Sequence, residues 1–248
     1  MEIKIFNDGN ELGTEAARIG AASIKNAIAQ RGTANIILAT GNSQLKVLEQ
    51  VTSIEDIEWS KVNCFHLDEY VGISNRHPAS FRKYLKEKFV DKISPLGQFV
   101  YVEGDAENPE EECRRLGKII SNYTIDAAFI GIGENAHIAF NDPPADFDTQ
   151  EPYIVVSLDT ACRRQQLNEG WFPTLEDVPK QAISMSVRQI LKSKKIICSV
   201  PDTRKAEAVK HTVEDEVANT YPATILKTHP DCSLLLDKDS SALLETKG

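Results

Sequence analysis

The sequence predicts an α/β protein, a three-layer αβα sandwich whose sheet is mainly parallel. Three observations carry that expectation. Short apolar runs alternate with stretches of helical periodicity along the whole chain, the pattern of repeated β-α units. The runs are almost continuously apolar, as in NIILA at 35–39 and DAAFIGI at 126–132, which is how a parallel strand covered on both faces reads. Small and polar residues then follow the strands, at the sheet end where open α/β folds bind ligands.

Taken in order, residues 2–6 alternate polar and apolar and form the first strand, and 7–10 supply a turn and a cap. Leu12, Ala16, Ile19, Ala22, Ile24, Ala27 and Ile28 recur at helical spacing over 11–30, and Arg31-Gly32 stops that helix. A strand at 35–39 runs into Thr40, Gly41, Asn42, Ser43 and Gln44, then a helix over 45–51. A strand, a small-residue loop and a helix N-terminus present free N–H groups and the positive end of a dipole, which suits a phosphate; a simply capped turn is the alternative. The strand at 62–67 delivers Asp68 and Glu69 at its end, and His77-Pro78 opens a helix to about 89.

A strand at 99–102 and a helix at 107–122 with an acidic first turn precede the strand at 126–132. Its exit is the densest polar stretch of the chain: Gly131, Gly133, Glu134, Asn135, Ala136, His137, Asn141 and Asp142. Missing Cβ atoms at 131 and 133 let the chain turn and a ligand approach. Pro143-Pro144 ends any helix, and 145–151 is a polar loop expected to lie over the site. After a strand at 153–158, residues 159–171 form a short helix or lid carrying Arg163 and Arg164. Strands at 181–187 and 195–200 flank a short helix, and the latter leads to a turn holding Lys205 and a helix to about 211. A short helix at 222–226, a strand at 232–237 and a polar, frayed tail from Lys238 complete a Rossmann-like arrangement, read as one domain over 1–248.

Composition bounds the function. With 41% hydrophobic and 26% charged residues, the 248-residue chain has the balance of an ordinary globular protein. A formal charge of −9 argues against nucleic-acid and anionic-membrane partners, which need a basic footprint. Five cysteines show neither CxxC nor Cys/His ligand spacing, so reduced thiols and a cytoplasmic location are expected, with no metal site. No apolar leader follows a basic start, and no run approaches membrane-span length.

Two strings carry a family resemblance. GIGENAHIAFNDP at 131–143 resembles the G-x-G-x-[DN]-G-H-I-[AG]-F-N-E-P signature of the glucosamine-6-phosphate deaminase (isomerase) family. LDEYVGISNRHPASF at 67–81 is similar to its D-E-Y-V-G-x-x-x-x-H-P-x-S-[FY] segment. Thr40 and Gly41 also match the family's T-G-[GS]-[ST]-P loop, which this chain leaves at Gln44. The resemblance implies Asp68 as general base at C2, and His137 as the group that opens the sugar ring, with Asn135 and Asp142 as its catalytic neighbours. It implies Glu69, Gly133 and Ala136 as substrate contacts, and residues 40–44 with Lys205 as holders of the substrate phosphate.

The family's phosphate-binding Arg stands just before an aromatic pair; here Gly170 precedes Trp171-Phe172, so Arg163 or Arg164 either reaches the same phosphate or is a surface cation. Asn135, where many members have Asp and others also have Asn, orients His137 by hydrogen bonding without carrying a charge; Asp142 in place of the family Glu, together with Gly170, is expected to alter the sugar epimer, the amino-sugar phosphate or the activity. The implied partner is an amino-sugar 6-phosphate, with a homo-oligomer possible. No cofactor is implied, since every step is a proton transfer. The related 6-phosphogluconolactonases continue the GxGxDGH core differently, and a sugar-phosphate sensor without catalysis is the remaining alternative.

Overall fold

A computed structural model describes residues 1–245. The alternation seen in the sequence becomes β1 (Glu2–Phe6), α1 (Gly9–Arg31), β2 (Ala34–Leu38), α2 (Asn42–Thr52), β3 (Val62–His66), β4 (Asp68–Tyr70), α3 (Phe81–Lys88), β5 (Gln98–Val100), α4 (Pro109–Ile120), β6 (Ala127–Ile130), β7 (Tyr153–Ser157), α5 (Thr160–Asn168), β8 (Gln181–Met185), α6 (Val187–Leu191), β9 (Ile196–Val200), α7 (Ala206–Glu214) and β10 (Cys232–Asp237). Seven strands form one sheet in the order β1-β10-β9-β6-β2-β3-β5, and every pairing in it is parallel.

Strand alternation builds the layers. On β6, Ala127 and Phe129 point into a core with α1, α2 and α3, whereas Ala128 and Ile130 point into one with α4, α6 and α7. Residues Ile36 and Leu38 of β2 join the first core and Ile37 the second, so both faces of the sheet are covered and the αβα sandwich is complete. Fully burying a side chain such as Phe129 contributes about 1.5–3 kcal/mol. Helix α1 presses so closely on the sheet that a Cβ on Gly20 would lie 2.1 Å from the Phe129 ring.

A second sheet was not foreseen. Strands β4, β8 and β7 pair antiparallel, because the chain passes from β3 through Leu67 directly into three further extended residues. The strands expected at 153–158 and 181–187 therefore belong to this small sheet and not to the parallel one. Helix α3 begins at Phe81 under a Ser80 cap, and His77 instead accepts from Ala79 N–H in the turn before it. The loop 145–151 does not cover the strand ends: Arg188 of α6 donates to the Phe147 carbonyl, and Phe147 and Gln150 line a separate depression beside α6.

The tail is not frayed at Lys238. Ser240 is fully buried and its N–H donates to Asp237 at 2.8 Å; residues 246–248 of that tail lie outside the described residues. All five cysteines are buried free thiols. Among the described residues, no helix is long and apolar enough to cross a membrane.

Candidate active site

Four neighbouring strands, β9, β6, β2 and β3, send their carboxyl ends to one side of the sheet. The loops that follow them converge on a cleft of about 440 Å³. Loop 40–43 follows β2, Asp68 follows β3, loop 131–137 follows β6 and loop 201–205 follows β9. Thr40, Gly41, Asn42, Ser43, Asp68, Gly133, His137 and Lys205, all expected from the sequence, line this cleft together.

Asp68 and Glu69 part company because successive residues of β4 point to opposite sides. Asp68 faces the cleft, yet its residue is only 6% exposed. Burial first, and the neighbouring Glu69 second, push its carboxyl up from 3.8 to about 8. Glu69, expected as a substrate contact, is fully buried and turns away from the cleft. Its carboxylate accepts from Ser80 Oγ (2.8 Å) and from the N–H groups of Tyr70, Phe81 and Arg82, which caps α3.

His137 is fixed from behind. Its Nδ1 lies 2.9 Å from Asp142 Oδ1, and its backbone N–H donates to Asn135 Oδ1. Asn135 Nδ2 donates to Asp142 (3.0 Å) and Asp159 (3.2 Å), while Asp142 Oδ2 accepts from Asp159 N–H. Burial works against the charge of Asp142, but its hydrogen bonds from His137, Asn135 and Asp159 prevail and hold its pKa below the usual value. With Asp142 ionised, Nδ1–H is the donor and Nε2 is left for the cleft. A Cβ on Gly133 would come within 2.3 Å of Nε2, so glycine there makes room for the ring.

Asn135 and Asp142 do not line the cleft; they touch His137 from behind it. Ala136, also expected as a substrate contact, does not line the cleft. It is buried at φ +65, and its carbonyl accepts from Ala223 N–H. The donor atoms of His137, Asp142 and Cys162 lie within 4.8 Å of one another, but Nδ1–H is committed to Asp142 and burial pushes the Cys162 thiol up, so the set does not fit a metal ion as it stands.

At the other end of the cleft, Gln44 is buried beneath the loop it follows. Its Nε2 donates to Ile130 and Ser199 carbonyls and its N–H to Gly41, so it ties β6 and β9 together and offers no donor to a ligand. Lys205 is 5% exposed, and desolvation lowers its pKa against the pull of Glu169 and Glu134. Arg163 and Arg164 do not line the cleft: Arg163 donates to the Leu175 and Val178 carbonyls, and Arg164 is exposed.

From this segment Gln165 and Gln166 of α5 and Glu169, which caps its C-terminus, do reach the cleft. Gln165 accepts from Glu134 N–H (2.9 Å) and donates to Glu169, joining this helix to loop 131–137. Their signal was the spacing Cys162-Gln165-Gln166-Glu169, one helical face of polar residues. Arg204 also lines the cleft unforeseen, one residue before Lys205, as does Phe81, the last residue of the motif at 67–81.

Comparison with known proteins follows the same geometry. A sequence model of the glucosamine-6-phosphate isomerases/6-phosphogluconolactonase family matches residues 7–234. The glucosamine-6-phosphate deaminase of Oenococcus oeni is 34% identical over 247 residues, covering 100% of both chains. That of Thermoanaerobacter pseudethanolicus is 33% identical over 98% of this chain and 95% of its own. Among solved structures, a monomeric glucosamine-6-phosphate deaminase superposes with a TM-score of 0.88 at 31% identity, covering 98% of this chain and 100% of the other. A 6-phosphogluconolactonase from Shewanella baltica shares the fold at a TM-score of 0.80 and 18% identity, over 96% of this chain and 97% of its own. With matching motifs, a whole-length sequence match and a common fold, the chain belongs to the glucosamine-6-phosphate isomerase/6-phosphogluconolactonase family.

Proposed function

We propose that this cleft isomerises and deaminates an amino-sugar 6-phosphate, with glucosamine 6-phosphate and water giving fructose 6-phosphate and ammonia. The observation that carries the reading is one cleft with a buried carboxyl, Asp68, and an oriented imidazole, His137, at one end and loop 40–43 with Lys205 at the other.

Loop 40–43 and Lys205 hold the phosphate, and that binding energy positions the sugar carbons. His137 Nε2 exchanges a proton with the ring oxygen as the ring opens, while Asp142 keeps Nδ1–H in place. Asp68, once ionised, takes the proton from C2, and the electron pair passes into a C1–C2 enolamine. Return of a proton to C1 leaves an imine at C2, to which water adds and from which ammonia departs. Raised to about 8, Asp68 is a stronger base than an ordinary carboxylate when ionised. The protein works in the reducing cytoplasm, in keeping with its five free thiols.

The test is ammonia release from purified protein given glucosamine 6-phosphate and, separately, galactosamine 6-phosphate, with Asp68→Asn alongside. Release that vanishes in the variant supports the reading and identifies the epimer. Binding of both sugars without ammonia from either would remove the deaminase assignment.

A further inference from the structure

Three cationic side chains line the cleft: Lys46, Lys205 and Arg204. Lys46 pairs with Glu49 at 3.2 Å along α2, and its side chain is half exposed. Lys205 is buried at the foot of the cleft. Arg204 is different, because the chain is distorted to place it. Its Nε and Nη2 donate to Asp202 Oδ2 (3.1 and 2.6 Å), and the Arg204 N–H donates to Asp202 Oδ1.

Asp202 adopts φ +90, the left-handed region where a residue with a Cβ is strained. Glycine would take that conformation without cost, and an exposed ion pair between residues two apart stabilises a protein little. What the aspartate adds is orientation of the guanidinium. It aims Nη1 across the cleft at Glu134 of loop 131–137, at 3.8 Å, too long for a hydrogen bond. Glu134 Oε1 is buried and has no hydrogen-bond partner among the described residues. Glu169 also faces the pair of cations. Arg204 is thus oriented, 40% exposed, and incompletely satisfied at the mouth of a cleft.

Resting on the sugar-phosphate reading, we propose that Arg204 is a second phosphate-binding cation of this cleft, held ready by Asp202 and Glu134 and transferred to the phosphate when substrate binds. Loops after β2, β6 and β9, three adjacent strands, then enclose the phosphate: residues 40–43 supply neutral donors, Lys205 a buried point charge and Arg204 a planar fork. Asp202 and Glu134 set the strength of the site, since each competes with the phosphate for the same N–H groups.

The experiment is calorimetric titration of inorganic phosphate into the wild type, Arg204→Gln, Arg204→Lys and Arg114→Gln, the last removing an exposed guanidinium on α4. Sugar-phosphate kinetics are measured on the same proteins. Arg204→Gln is expected to weaken phosphate about tenfold or more and to raise KM by a similar factor, with kcat within about threefold of wild type. Arg204→Lys falls between, because charge is kept and the fork is lost. Arg114→Gln stays at wild type. Phosphate affinity within twofold of wild type in Arg204→Gln, or a loss equal to that in Arg114→Gln, overturns the inference. Weakened phosphate binding with no ammonia from any amino-sugar phosphate leaves the inference standing and removes the deaminase reading; a wild type that binds no phosphate overturns the inference, and one that also releases no ammonia removes both.

Discussion

Replacing Asp68 by asparagine should abolish activity and stabilise the protein, by an amount that grows with pH. The Asp68 carboxyl has a pKa of about 8 in the fold against an ordinary 3.8, mainly through burial and then through Glu69. Between those values the folded state holds a proton that the unfolded chain has released. Stability therefore falls as pH rises, by about 1.4 kcal/mol per unit, from near pH 4 until the folded carboxyl ionises near pH 8. Integrated over about four units, the cost at pH 9 approaches ~5 kcal/mol, an upper limit because water reaches the carboxyl through the cleft.

Asparagine has nearly the same shape and does not titrate, so it escapes this cost, and other ionisable groups cancel between the two proteins. Urea unfolding of wild type and Asp68→Asn at pH 5, 6, 7, 8 and 9 reads the difference directly, with equal slopes confirming a common unfolding reaction. The variant's advantage should rise by about 1 kcal/mol or more per unit up to pH 8 and level off above. An advantage that is constant across this range would refute the claim that Asp68 is protonated in the folded protein at neutral pH.

Three other substitutions probe the surroundings. Asp142→Asn removes a charged acceptor from His137 Nδ1 and should lower kcat/KM by about 10–100-fold, the equivalent of ~1.5–3 kcal/mol, with a far smaller change in KM; an unchanged kcat would show that His137 needs no orientation. Gly133→Ala should cost at least as much activity while circular dichroism remains native, since the new methyl would displace the imidazole from 2.3 Å. Glu69→Ala should lower stability by about 3 kcal/mol, because three donors at the start of α3 and the Tyr70 N–H of β4 lose their acceptor. A stable Glu69→Ala protein with a raised KM would restore Glu69 as a substrate contact.

The parallel sheet was legible because its central strands, NIILA and AAFI among them, are apolar on both faces. The antiparallel sheet was hidden because β4 is three residues long and two of them, Asp68 and Glu69, are acids. For the site, position in the chain found the right loops but not the direction of each side chain. Asp68 and Glu69 are adjacent in sequence and lie on opposite sides of a strand. Ser43 reaches the cleft, whereas Gln44, the next residue, is turned inward to carbonyls of β6 and β9. Arginines 163 and 164 drew attention by charge, yet the helix rotates Gln165, Gln166 and Glu169 to the cleft instead.

The two departures from the family signature are coupled in space. A glutamate at 142 would extend its carboxylate by about 1.5 Å, but the shorter aspartate already stands 2.9 Å from His137 Nδ1. It holds that position through Asn135, whose amide donates to Asp142 at 3.0 Å and to Asp159 at 3.2 Å. An aspartate at 135 would have no N–H to donate, and would place a third carboxylate against Asp142 and Asp159. Asparagine at 135 therefore suits aspartate at 142: the amide bridges two acids, and Asp142, free of a further like charge, remains ionised behind the imidazole. The pair exchanges one arrangement of hydrogen bonds for another and leaves Nε2 presented to the same cleft.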